Sequence, residues 1–328
     1  MEITLILGNG FDKNLGLETS YKEFYEKYKK KDTNIEIVKK MKNSIGRFLD
    51  GVKKGEDIIN WGDAELAFGQ FSKQCQSYEE YRDCYIDLQD SFAEYLAEEE
   101  KRFDINKIDE RLILNCINDI VKYINKSNNG TILNIITLNY TSTIYEIFFK
   151  VKDKMKDMNY NINLKDYLFL HGSLKDQLTF GVGNIEQIKN ENIRKSFPPA
   201  FESQIIKDRH DALTARNYYA RLMAILNSSH VAYCYGWSFG DTDLALINRL
   251  AKRAAAGMKL YVYKHGFELK SNIRKSFEEK LFNDKNRDDI RNKLLAYGGL
   301  NNSEYAVAAA NVVSICINHF EKIKNIVI

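Results

Sequence analysis

The first residues of the chain place a short apolar run directly before two glycines. Residues 3–7 are apolar or favour strands, and Gly8, Asn9 and Gly10 follow them. This pattern predicts a buried strand that ends in a tight turn, and the residues after the turn have helical spacing. A glycine turn between a strand and a helix can bind an anion, because backbone N–H groups point at the ligand. The sequence therefore predicts a nucleotide-phosphate site at this turn.

Strand-like segments return in the second half of the chain, separated by helical patterns. The clearest are TILNIITL (131–138), YLFLHG (167–172), HVAYCYG (230–236) and KLYVYK (259–264). Apolar residues three and four positions apart predict helices at 78–103, 108–124, 241–256 and 306–324.

The alternation of strands and helices predicts an α/β fold with a Rossmann-like, mostly parallel sheet. We expect residues 1–328 to form a single domain of this kind. Residues 20–126 are charged and aromatic, and strand signals are nearly absent among them. They predict a large helical subdomain that is inserted after the first βα unit.

The balance of charges limits the classes of partner. The sequence has 48 lysine and arginine residues against 45 aspartate and glutamate residues, for a net charge of +3. So small an excess favours neither nucleic acid nor an anionic membrane surface as partner. No apolar run approaches the roughly 20 residues that cross a bilayer, and the N-terminus lacks a signal-peptide pattern. We therefore expect a cytoplasmic protein without a membrane partner.

Cysteine and histidine spacing gives no reason to expect a metal. The cysteines are at positions 75, 84, 116, 234 and 316, and the histidines are at 171, 210, 230, 265 and 319. The cysteine number is odd, and neither set has the spacing of a zinc site or a disulfide framework.

Small or polar residues follow four of the predicted strands, at 8–12, 138–141, 171–173 and 235–243. Each group alone is also typical of an ordinary turn or helix cap. Ligands of open parallel sheets bind beyond the carboxyl ends of the strands. The four groups together therefore predict one shared pocket.

The first glycine turn does not fit two common nucleotide motifs. The dinucleotide-binding fingerprint of dehydrogenases needs a third glycine where this chain has Lys13, and its acidic residue would fall in a predicted helix. A P-loop needs a Gly-Lys-Ser/Thr sequence after the turn, and none follows. Hydride transfer and P-loop chemistry are therefore disfavoured.

The longer pattern resembles sirtuin-like domains. Gly8, Gly10 and the Gly-Leu at 16–17 are similar to the opening of these domains, and Asn139-Tyr140 resembles their Asn-Tyr motif. His171-Gly172 resembles their catalytic His-Gly pair, and 234–243 is similar to a later Gly-x-Ser turn that is followed by Asp. This resemblance implies that the single domain is sirtuin-like.

A closer resemblance is to the AbiH family of phage abortive-infection proteins. Its members begin with Gly-Asn-Gly-Phe-Asp, present at 8–12, and with Gly-Leu-x-Thr-Ser-Tyr, present at 16–21. They also carry Trp-x-Asp-x-Glu, present at 61–65, and share the later His-Gly and Gly-x-Ser turns. Matching pieces run from residue 5 to about 250, and the chain is identified as a member of this family.

The sirtuin-like resemblance implies cleavage of the nicotinamide–ribose bond of NAD. Asn139 would orient the ribose hydroxyls or the attacking water, and His171 would be the general base. Histidine suits this role because it ordinarily titrates near neutral pH. The residues implied to bind the nucleotide are Gly8, Asn9, Gly10, Phe11, Asp12, Gly236, Ser238, Asp241 and Asp243. Paired CxxC motifs are absent, which disfavours protein deacetylation and favours water as the acceptor.

Several residues keep two interpretations. Asp12 replaces the usual small hydroxyl residue and would repel a phosphate unless it caps the helix. Thr141 replaces the usual Asp after Asn-Tyr. Asp241 and Asp243 either cap the following helix, which is the commoner use of such residues, or bind a ribose.

The first turn and the helical insertion leave two further questions. Asn9 either tolerates a left-handed turn or donates its amide to the ligand. The residues at 61–65 either start a helix, with Trp61 in the core and Asp63 near the N-cap, or place Glu65 in the pocket.

Three functions are compatible with these features. The first is a phage-defence enzyme that hydrolyses NAD or a related nucleotide when a phage-derived trigger is present, and that forms a homo-oligomer. The second is a nucleotide-binding sensor or scaffold without turnover. The third is a nuclease toxin. Such an enzyme needs carboxylates clustered around a divalent metal, and the strand ends do not show this cluster.

Overall fold

Six parallel strands form one sheet in the computed structural model, which describes residues 1–53, 61–126, 130–157, 160–175, 178–207, 218–263, 291–315, 319–320 and 323. The strands are β1 (Glu2–Leu7), β2 (Thr131–Thr137), β3 (Ile162–Phe169), β4 (Val231–Tyr235), β5 (Lys259–Tyr263) and β6 (Val312–Ile315). Their order across the sheet is β3-β2-β1-β4-β5-β6. This order is the one found in Rossmann folds, so the predicted fold class is confirmed.

The described helices account for more than half of the described residues outside the strands. They are α1 (Gly10–Asn14), α2 (Tyr21–Tyr28), α3 (Glu36–Lys53), α4 (Trp61–Phe71), α5 (Tyr78–Lys101), α6 (Glu110–Ile124), α7 (Thr143–Asp157), α8 (Glu191–Lys195), α9 (Pro199–Ile205), α10 (Tyr218–Ser228), α11 (Leu244–Ala255) and α12 (Asn302–Asn311). Within the described residues, no helix combines the length and apolar content that a bilayer span requires.

Local signals place several helix starts. Ser20 caps α2 through a capping box with Glu23, and Asn301 caps α12 through a capping box with Glu304. Each capping box satisfies two backbone N–H groups that would otherwise lack partners at the first turn. The helices predicted at 78–103 and 108–124 are present as α5 and α6.

One predicted helix is wrong over part of its length. Helical spacing predicted a helix over 306–324, but α12 ends at Asn311 and residues 312–315 form β6, which pairs with β5. Val312 and Val313 favour strands because their branched side chains fit a pleated surface. Pairing with the edge of the sheet decided the outcome at these residues.

Two cores lie on opposite faces of the sheet, and alternate residues of a strand contribute to one or the other. Leu5 of β1 packs on one face with α6 and α7, while Ile6 packs on the other face with α10 and α11. This follows from the side-chain alternation of a strand, which turns successive residues to opposite faces.

A third core joins α2–α5 to residues 178–206 and is rich in aromatic side chains. All five helices α2–α6 lie between β1 and β2, but α6 packs on the sheet rather than in this third core. The division into a sheet domain and an inserted subdomain at 20–126 stays a prediction.

The sheet order reverses between β1 and β4. Chain connections leave these two neighbouring strands in opposite directions, which opens a crevice beyond their carboxyl ends. The four strand ends that the sequence singled out belong to β1, β2, β3 and β4, which are adjacent in the sheet. The fold therefore brings these four groups to one edge.

Candidate functional site

A cavity of about 210 Å³ lies at the carboxyl ends of β1 to β4. Its wall includes Gly8, Asn9, Gly10, Asp12, Asn139, His171, Gly236, Ser238 and Asp243, all of which the sequence singled out. Phe11 lies instead in a sheet core, where its ring contacts Tyr235 and Phe320. Asp241 lies beside the cavity and pairs with Lys293 at 2.9 Å. The predicted shared pocket therefore exists, and nucleotide binding in it stays a prediction.

The two glycines after β1 pack against the turn after β4. The Gly8 N–H donates to the Tyr235 carbonyl at 2.9 Å, and the Gly10 N–H donates to the Gly236 carbonyl at 2.8 Å. A Cβ atom on Gly10 would lie 2.5 Å from the Gly236 Cα, which is closer than real Cβ contacts. These glycines therefore permit backbone contact, and a bound phosphate would need other donors of the turn.

The backbone conformation of Asn9 decides one of the two interpretations of this residue. Its backbone is right-handed, with φ −54°, so the left-handed alternative is wrong. Its side-chain oxygen accepts a hydrogen bond from the Thr19 hydroxyl. The Asn9 Nδ2 donor has no hydrogen bond to another described residue, and its donation to a ligand stays a prediction.

Asp12 and Thr141, the two residues that depart from the sirtuin-like pattern, contact each other. The hydroxyls of Thr141 and Thr143 donate to Asp12 at 2.5 and 2.7 Å. Asn9 occupies the N-cap of α1, so the interpretation of Asp12 as a helix cap is wrong. Burial raises the pKa of the Asp12 carboxyl to about 6, although both threonine hydroxyls favour its charged form.

The raised pKa of Asp12 predicts a pH-dependent loss of stability. The folded chain holds this proton more tightly than the unfolded chain, so the contribution of Asp12 to the free energy of unfolding falls as pH rises from about 4 to about 6, by on the order of 3 kcal/mol. Asp12→Asn removes this titration. We expect the variant to gain stability relative to the parent between pH 4.5 and pH 7.5, measured by urea unfolding at both values, which lie on either side of about 6.

The exposed Asp90 of α5 offers the matched control. Asp90→Asn should leave the difference from the parent equal at both pH values. If Asp12→Asn behaved in the same way, the carboxyl of Asp12 would not titrate near pH 6 in the folded chain.

Asn139 carries buried polar atoms without partners. The residue is 5% exposed, lines the cavity, and has no hydrogen-bond partner for its side-chain nitrogen or oxygen among the described residues. The amide lies close enough to Asp12 to favour that carboxylate, but the geometry does not complete a hydrogen bond. An unpaired buried polar group costs about 1–3 kcal/mol, which a ligand with matching groups would recover.

His171 follows β3 and contacts Asp243 in the cavity wall. The His171 Nε2 lies 3.3 Å from Asp243 Oδ1. The Trp237 indole N–H donates to Asp243 Oδ2 at 3.0 Å. Asp243 occupies the N-cap position of α11 but makes no side-chain cap hydrogen bond. Asp243 thus stands at the predicted cap position without making the cap hydrogen bond, and Asp241 is the N-cap neither of α11 nor of the turn before it.

The loop between β4 and α11 holds Trp237 in place. Phe239 has φ +55°, a conformation that non-glycine residues rarely adopt, and its ring stacks on Trp237 at 4.0 Å between centroids. Such backbone strain persists only where surrounding contacts enforce it. Ser238 lies between these two rings in sequence and is exposed to the cavity.

Lys207 is a cavity residue that the sequence did not single out. Its Nζ lies 2.7 Å from Glu65 Oε2 and 3.4 Å from Asp243 Oδ1. Burial alone would lower the pKa of Lys207 and raise that of Asp243, but their mutual attraction raises the lysine pKa and holds the Asp243 pKa well below its usual range. An isolated lysine in the segment SQIIKDRH has no motif around it, so no sequence signal pointed to this role.

Glu65 reaches the site from the helical insertion. It lies on α4, is 1% exposed, and also accepts a hydrogen bond from the Gly181 N–H at 3.3 Å. It does not line the cavity itself but contacts Lys207, which does. The side chains of Trp61 and Asp63 lie outside the described residues.

In proteins, metal ions are bound by groupings of several ligating side chains. Across the described ranges, no three His, Cys, Asp or Glu side chains are grouped so that they could hold a metal ion.

The comparisons with known proteins bear on the whole of this site. A family model described as "Bacteriophage abortive infection AbiH" matches residues 4–264. The search of curated proteins finds no match. The matched range contains every residue named in the cavity wall. It supports a role in phage abortive infection, whereas the sirtuin-like resemblance stays an expectation. Because the match covers well over half of the sequence, the chain belongs to the bacteriophage abortive infection AbiH family.

Proposed function

We propose that the protein acts in abortive infection by hydrolysing the nicotinamide–ribose bond of NAD or of a related nucleotide. The observation that carries the proposal is the cavity at the sheet reversal, where the unpartnered Asn139 amide and the His171 imidazole share one wall. Dinucleotides bind at this position in sheets of the same strand order.

The groups around the cavity suit a reaction that develops positive charge on ribose. In this hydrolysis, the ribose–nitrogen bond breaks and nicotinamide leaves with its electron pair, while a water oxygen bonds to the ribose carbon. Carboxylates placed near a developing cation stabilise it, and Asp12 and Asp243 both line the cavity. No redox step is involved, so the chemistry needs only positioning, charge and one base.

His171 is the proposed base. Asp243 lies beside Nε2 and favours the tautomer that carries its hydrogen on that nitrogen, which leaves the Nδ1 lone pair to accept the proton of the attacking water. Asp243 would then stabilise the imidazolium that forms. The Trp237 N–H holds the second carboxylate oxygen and keeps the Asp243 side chain in position.

Asn139 is the proposed orienting residue. An amide offers both a donor and an acceptor, which matches a ribose hydroxyl or the attacking water. The Asn139 backbone N–H donates to the Thr137 hydroxyl at 3.0 Å, which helps to hold the residue at the end of β2. The Asn9 amide and Ser238 are proposed to contact the rest of the nucleotide.

Nicotinamide release tests the proposal. We expect purified protein incubated with NAD, in the presence of lysate from phage-infected cells, to convert NAD to ADP-ribose and free nicotinamide, as followed by chromatography. Heat-treated protein in the same lysate is the control. Binding of NAD with the ligand unchanged after long incubation would overturn hydrolysis and favour a sensor without turnover.

A further inference from the structure

A buried chain of charged groups connects the helical insertion to the cavity. Glu65 of α4 contacts Lys207, Lys207 contacts Asp243, and Asp243 contacts His171. The side chains are almost fully buried, at 1% exposure for Glu65, 8% for Lys207 and 10% for Asp243. Charges in such surroundings interact strongly because water screens them little.

Backbone hydrogen bonds to Val182, which is distant in sequence, hold Lys207 on the cavity wall. The Val182 N–H donates to the Ile205 carbonyl, and the Lys207 N–H donates to the Val182 carbonyl, both at 2.9 Å. Close contact at Gly181 brings the two segments together, since a Cβ atom there would lie within 2.0 Å of the Ile205 carbonyl oxygen. The backbone thus directs one lysine into a site with two carboxylates.

The charges of Glu65, Lys207 and Asp243 do not sum to zero. Glu65 and Asp243 each carry a negative charge, and Lys207 carries one positive charge, so the three together hold one net negative charge. Tyr140 also lies against His171, with its ring centroid 6.1 Å from that of the imidazole. Asp12 also lines the cavity, but it contacts Thr141 and is not one of these connected charged groups.

We propose that Lys207 is a positioning residue that sets the proton affinity of His171 by neutralising Asp243, and that Glu65 holds the lysine in place. With Lys207 present, Asp243 is shared between an ammonium and the imidazole. The histidine then returns its proton more readily after accepting it, which a base needs for repeated turnover. The inference rests on the proposed function only in naming His171 as the base.

Two substitutions should move the histidine in opposite directions. Lys207→Met removes the positive charge that neutralises Asp243, the carboxylate beside His171, which should favour the imidazolium. Glu65→Gln removes one negative charge but keeps an acceptor for the Gly181 N–H, which should disfavour the imidazolium. A purely structural role would not give opposite signs.

The test is an NMR titration of the histidine side chains in the full chain without substrate, with the His171→Gln variant used to assign the signal. We expect the His171 titration midpoint to rise by about 1 pH unit in Lys207→Met and to fall by a smaller amount in Glu65→Gln. Lys165 pairs with Glu2 at 3.3 Å, at the amino end of the sheet, and Lys165→Met should leave the midpoint unchanged.

Either a shared direction or an unchanged midpoint in both variants would overturn the inference. If Lys207→Met does not fold, Glu65→Gln decides alone, because a lowered midpoint supports the role and an unchanged one refutes it. The titration needs no turnover, so it still tests Lys207 if the protein releases no nicotinamide. A protein that releases no nicotinamide would overturn the proposed function but would leave the inference about Lys207 standing.

Discussion

Replacing His171 with glutamine is expected to slow nicotinamide release by about 10²–10⁴-fold, the usual contribution of a general base. Glutamine keeps a nitrogen donor for Asp243 but cannot accept a proton near neutral pH. The fold should be retained, because the substitution leaves a polar side chain of similar reach. Initial rates at saturating NAD, together with urea unfolding of both proteins, measure the two effects separately.

The chain provides a matched control at the opposite end of the sheet. His230 is exposed, lies directly before β4, and accepts a hydrogen bond from the Glu2 N–H. His230→Gln should therefore leave the rate of nicotinamide release unchanged. In a phage challenge, His171→Gln should lose protection while His230→Gln keeps it. Full protection by stably expressed His171→Gln protein would remove the proposed base from the mechanism.

Gly236→Ala is expected to destabilise the fold by about 2–5 kcal/mol. An L side chain in left-handed backbone costs about 1–2 kcal/mol, and overpacking adds about 1–3 kcal/mol. Gly236 has φ +68°, and a Cβ atom there would lie 2.7 Å from the Phe11 nitrogen. Urea unfolding of the variant and the parent measures the loss.

Gly257→Ala separates backbone strain from the steric contact. Gly257 has φ +101°, but a Cβ atom there meets nothing within 4 Å. This variant should lose only the strain contribution of about 1–2 kcal/mol. Equal losses for the two variants would show that close packing of the turns after β1 and β4 contributes nothing to stability. A larger loss for Gly236→Ala supports that packing.

Much of the architecture could be predicted because its signals are local. The first strand and its glycine turn are encoded within 3–10, and the helices α5 and α6 follow from three- and four-residue spacing in their own segments. The strand β6 could not be predicted in this way, because residues 312–315 continue a helical pattern and become a strand only by pairing with β5.

The cavity wall was predictable to the extent that its residues follow strands. Asn139 and His171 each lie two residues after the ends of β2 and β3, and parallel strands bring their carboxyl ends to one edge. Lys207 could not be found, because it follows no strand and carries no motif. Its place depends on backbone contacts with Val182, which is distant in sequence.

The sequence by itself determined the α/β class, the glycine turn after the first strand and the groups that meet at the strand ends. Hydrophobic spacing and turn chemistry specify these features over a few residues. The tertiary structure alone decided how the polar groups pair. Asp12 meets Thr141, and the Asp243 side chain meets His171 and Lys207 rather than making a helix-cap hydrogen bond. The partner of a buried charge is set by which distant segments fold against it, because desolvation makes an unpaired charge too costly.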